Sequence, residues 1–106
     1  MRLQQVWLDN DAGTLQIRGE INFDDFAAFA EPLVESLDCR VLERQWGADR
    51  HQWLLDFEGC QLWLNYEFYG DVAWLASDRA EDIEVLAFLE HLLQRQLEQP
   101  QPEQQP

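Results

Sequence analysis

The chain has 106 residues, 46% of them apolar, which is enough for one domain with a single core and not for two. Its 21 acidic residues face seven basic ones for a net charge of −14, and all seven are Arg. Without Lys there is neither a Walker-type phosphate loop nor a Schiff-base enzyme. The charge opposes nucleic acid and anionic membrane surfaces as partners. No apolar run approaches the length of a membrane span, and no basic-then-apolar leader opens the chain, so a cytoplasmic location is expected.

Hydroxyl nucleophiles are scarce: Thr14, Ser36 and Ser77 are the only aliphatic ones. Neither Ser sits in a Gly-x-Ser-x-Gly elbow, and carboxylate pairs such as Asp56/Glu58 arise by chance in so acidic a chain. Cys39 and Cys60 could form one disulfide, but a cytoplasmic location favours two reduced, buried thiols. Combined with His51 and His91 they show no metal-ligand spacing. No catalytic, cofactor-binding or metal-ligating residue is therefore assigned. His51, beside Arg50 near a turn, is expected at the surface, and His91 on the polar half of a helix.

In chain order, residues 3–9 and 14–20 alternate as strands around the turn-forming Asn10-Asp-Ala-Gly13. Asn22 is an N-cap type, with Asp24 and Asp25 in the first turn and Ile21 placed to staple against Phe26. Phe26, Phe29, Leu33 and Leu37 then recur at helical spacing, and Pro32 predicts a kink or two segments. Residues 39–77 read as four strands. Glu58-Gly59 is a two-residue hairpin turn, which sets Phe57 against Cys60, Leu55 against Leu62 and Trp53 against Leu64. Those six with Tyr66 form an apolar core face. Gly47-Ala-Asp49 and Tyr69-Gly-Asp71 are the neighbouring turns, and the last strand covers about 72–76.

Asp78 and Glu81 resemble a capping box before a second helix, whose apolar half carries Val85, Leu86, Leu89, Leu92, Leu93 and Leu97. Residues 99–106 are Gln, Pro and Glu with nothing to bury, so a disordered tail is expected after a single domain over 1–98. The order ββ-α-ββββ-α predicts an α+β fold: an antiparallel sheet with both helices on one face.

The face away from the helices carries the candidate interaction patch. A hairpin around Gly47-Ala-Asp49 sets Val41 against Leu55 and Leu42 against Leu54. It thereby places Arg40, Leu42, Arg44 and Trp46 beside Arg50, Gln52, Leu54 and Asp56, then Gln61, Trp63, Asn65 and Glu67. Arg40 would oppose Asp56, and Arg50 would oppose Glu67. One reading is a solvated face laced with weak ion pairs. The sharper reading makes Leu42, Arg44, Trp46, Leu54 and Trp63 an association surface, because exposed aromatic and Arg residues are common interface anchors. Residues 22–38 add five acids and no base, a surface that could steer a basic partner or serve solubility alone.

The stretch Trp46-Gly-Ala-Asp-Arg-His-Gln-Trp53, continuing Leu-Leu-Asp-Phe-Glu-Gly-Cys60 and Gln-Leu-Trp-Leu-Asn-Tyr-Glu67, resembles a family of short, acidic, uncharacterised bacterial proteins, a domain of unknown function. The resemblance implies a small α+β domain of bacterial origin and carries over no activity, substrate or catalytic residue. The expected function is a non-enzymatic, cytoplasmic protein-interaction module, with another protein or a second copy as partner and no cofactor. The alternatives are an acidic inhibitor or immunity-type protein for a basic target, and a small-molecule binder with a pocket between helix and sheet.

Overall fold

A computed structural model describes residues 2–98; the expected tail at 99–106 lies outside the described residues. The elements are β1 (Leu3–Asp9), β2 (Thr14–Gly19), α1 (Phe26–Ser36), β3 (Arg40–Trp46), β4 (Arg50–Phe57), β5 (Cys60–Glu67), β6 (Val72–Ala76) and α2 (Ile83–Glu98), with one turn of 3-10 helix before each α-helix. All six strands join one antiparallel sheet in the order β1-β2-β6-β5-β4-β3. The fold is α+β, in the expected order.

The turn chemistry accounts for the register. Glu58 and Gly59 both have positive φ, 51° and 90°, as a type I′ hairpin turn requires. Phe57 therefore pairs with Cys60, Leu55 with Leu62 and Trp53 with Leu64. Period two then puts Leu15, Ile17, Trp53, Leu55, Leu62, Leu64, Tyr66, Ala73 and Leu75 on one buried face. Phe26, Phe29, Leu33 and Leu37 close over it from α1, and Leu86, Leu89 and Leu93 from α2.

Asn22 caps as expected, accepting the Asp24 N–H at 3.0 Å, but it caps the 3-10 turn Phe23–Asp25. The two helical segments meet at Phe26, and α1 runs unbroken past Pro32. The ring removes one hydrogen bond from a helix whose buried face holds it in place. Asp38, at φ 56°, ends α1: its own N–H reaches Glu35 O at 3.1 Å and the Cys39 N–H reaches Val34 O at 3.1 Å, a Schellman arrangement that turns the chain into β3. The start of α2 differs from the expected capping box. Ser77 accepts the Arg79 N–H at 3.1 Å and donates to the Asp82 carboxylate, so this hydroxyl organises the turn.

The two sheet edges are treated differently. On β1, the Leu8 N–H donates to Glu90 Oε2 at 2.7 Å and the Gln94 amide donates to Val6 O at 2.9 Å, so α2 occupies edge groups that a further strand would use. On β3, every residue but Val41 is exposed.

Leu62 is fully buried between these layers. Leu62→Ala should cost about 2–5 kcal/mol in a urea titration. A loss below about 1 kcal/mol would contradict the packing described.

Candidate functional site

A β-bulge decides where the expected patch residues go. Arg40 opposes Asp56 and Val41 opposes Leu55 as expected, but the register then shifts and Glu43, not Leu42, opposes Leu54. Leu42 is the extra residue and lies 45% exposed with no cross-strand partner. Beyond it, Arg44 pairs with Trp53 and Trp46 with His51, so both have moved to the helix-bearing face. Leu54 and Trp63 remain opposite each other on the helix-free face. The five residues therefore belong to two separate surfaces, because one extra residue exchanges the faces of all that follow.

On the helix-free face Leu54 and Trp63 are joined by two more indoles, Trp7 and Trp74, whose pairings with Gln16 and Asn65 set them on that side. Arg18 lies 5.8 Å over Trp7. Arg40 and Asp56 form an ion pair at 3.1 Å. Arg50 opposes Glu67 in register, but its nearest carboxylate is that of Asp49, at 3.6 Å. These indoles are half-buried, each shielded by its neighbours in the sheet.

The other surface is a cleft of about 400 Å³ between the 3-10 turn Phe23–Asp25 and the end of β3. Phe23, Phe26, Trp46, His51 and Trp53 line it, and Asp24, Asp25 and Arg44 supply its charged groups. The Arg44 guanidinium stacks 4.6 Å over the Trp53 ring and lies 3.8 Å from Glu31 on α1. His51 is not the surface side chain expected. Its ring is half-buried, parallel to Phe26 at 4.6 Å, and its Nε2 lies 2.9 Å from Phe23 O. A carbonyl only accepts, so Nε2 carries the proton and the imidazole holds the 3-10 turn against the sheet. His91 is exposed on α2, as expected.

Three segments lie at this end of the sheet, two of them lining the cleft and the third touching Phe23. Trp46 ends β3, Phe23 opens the 3-10 turn, and Phe68 and Tyr69 lie in the turn after β5. The Phe68 N–H donates to Asp49 O at 2.8 Å and ties the two hairpin turns together. The Phe68 ring meets Phe23 edge-on at 5.6 Å and Tyr69 at 5.4 Å. Trp46, Phe68 and Tyr69 are nonetheless 74%, 51% and 81% exposed. Sequence reasoning took Tyr69-Gly-Asp71 only as a turn. The available signal was two large aromatics where a turn is ordinarily polar.

Residues 3–94 match the family described as "Protein of unknown function (DUF3630)". The chain belongs to this family. No curated protein and no solved structure matches it. Among the described residues of this DUF3630 member, no three metal-ligating side chains gather, and no helix is long and apolar enough to cross a membrane. Both cysteines are free thiols, half-buried rather than fully buried. Burial, reinforced by the charges of Asp38 and Asp56, pushes the Cys39 thiol up to about 12, and burial followed by the Asp82 carboxylate raises that of Cys60. Neither thiol is activated as a nucleophile.

Tyr66 lies behind the cleft, stacked on Phe26 at 5.7 Å, and its hydroxyl donates to Asp71 Oδ1 at 2.8 Å. Burial and that carboxylate push its pKa up to about 12. An unfolded Tyr ionises near 10. The stabilisation is thus fully present below about pH 10 and is lost as pH rises towards about 12. Urea titrations across that window should show stability falling for the wild type and falling less for Tyr66→Phe. Equal slopes would rule out this linkage.

Proposed function

We propose that this DUF3630 protein is a non-enzymatic, cytoplasmic protein-interaction module of bacterial origin, docking through the aromatic end around the cleft. One observation carries the reading. Trp46 at the end of β3, and Phe68 and Tyr69 in the turn after β5, are exposed at the same end of the sheet, and Phe23 links them, lining the apolar cleft with Trp46 and meeting the Phe68 ring. Large aromatics held exposed in a cluster serve as anchors that a partner buries. The wild type and a Trp46→Ala/Tyr69→Ala variant, immobilised in extract of the source cells, test this. The wild type should retain a partner that the variant loses, with circular dichroism unchanged. Equal retention by both proteins, or none by either, counts against the reading.

A second surface supports self-association. The helix-free face brings Trp7, Trp63, Trp74 and Leu54 together with three arginines (Arg18, Arg40, Arg50) against four carboxylates (Asp9, Glu43, Asp56, Glu67). On a chain of net charge −14, this nearly balanced face is where two copies repel least, and a two-fold contact would use it twice. Sedimentation should show a concentration-dependent dimer that Trp63→Asp abolishes without unfolding the chain. A wild type that stays monomeric at high concentration removes this second surface from consideration.

A further inference from the structure

We propose that the cleft between the 3-10 turn and β3 receives an arginine side chain from a basic segment of a partner protein. This rests on the aromatic end being the docking surface, and it names what docks there. Three features of the cleft select for a guanidinium. Its lining includes the aromatic residues Trp46 and Phe23, and a planar delocalised cation stacks on such rings better than an ammonium does. The consecutive, exposed Asp24 and Asp25 belong to its lining, and neither forms an ion pair among the described residues. They are placed to accept the several N–H donors of an arginine. The cleft also already demonstrates the arrangement, since Arg44 stacks at 4.6 Å on Trp53 with Glu31 3.8 Å away.

Arg44 uses the Trp53 end and is matched by Glu31, which leaves Trp46 and the two aspartates for an incoming side chain. The net charge of −14 supplies the long-range attraction for a basic partner. The cleft converts that attraction into a position. A lysine would satisfy the charge but not the stacking. An acidic segment would meet two carboxylates at the entrance.

Calorimetry with a short arginine-bearing peptide, its lysine counterpart and its citrulline counterpart tests the assignment, since citrulline keeps the planar shape and loses the charge. The arginine peptide should bind most tightly, should shift the Trp46 indole N–H resonance, and should weaken as salt is raised. Asp24→Asn/Asp25→Asn should weaken it by about tenfold. Asp11→Asn/Glu98→Gln, which removes as much charge outside the cleft, should change it little. Arg44→Ala, which removes a like charge and bares Trp53, should tighten it.

Equal binding of the citrulline peptide overturns the proposal. So does equal weakening by the remote pair of substitutions, which would make overall charge the attractor, or weaker binding on Arg44→Ala. Absence of any binding by the arginine peptide overturns it as well. If a neutral apolar peptide binds instead and still depends on Trp46, the docking end stands and its preference for a cation falls.

Discussion

Cover is the constraint on which this structure depends. Six strands spaced at about 4.8 Å place the outermost two roughly 24 Å apart. Two helices, each about 10 Å across, shield roughly 20 Å of that. The α2 helix spends part of its width on the β1 edge, where Glu90 and Gln94 hold the backbone of Leu8 and Val6. Phe26, at the start of α1, sits over Trp53, His51 and Tyr66 on β4 and β5. The end of β3 is left without a roof. The row that runs Leu8, Leu15, Leu75, Leu64 and Trp53 across the sheet accordingly ends in Arg44.

That shortfall explains the chemistry of the cleft. Trp53 is 3% exposed because the Arg44 guanidinium covers the side that no helix reaches. A cation on a long apolar stem can do this because its stem packs while its head stays wet. Trp46 has no such neighbour and stays in water. The aromatic end is thus what remains when a two-helix layer is laid on a six-strand sheet and its protected edge is β1.

The layer architecture was legible because its signals are local. Alternation along each strand, the Glu58-Gly59 turn and the 3.6-residue spacing of Phe26, Phe29 and Leu33 each need only a few residues to be read. The site was half legible. Trp46 and Arg44 stood out by type, yet they were assigned to the wrong face, because the bulge at Leu42 adds one residue without any Gly or Pro to mark it. His51 was misplaced for a different reason: the partners that bury it, Phe23 and Phe26, come from a distant segment. At Pro32 a local rule gave way to packing, and at Ser77 a hydroxyl did the work expected of Asp78.

The grip of α2 on β1 also bears on when this chain can fold. Strands β3 to β6 are consecutive and each pairs with the next, so they can assemble as they leave the ribosome. The β1–β2 hairpin cannot be completed in that way. It docks on β6, and its outer edge is closed by Glu90 and Gln94, which lie 82 and 88 residues further along from Leu8 and Val6. Contacts of such sequence separation form late, because a long loop must close first. Strand β1 therefore waits, with its edge unpaired, for α2 to emerge.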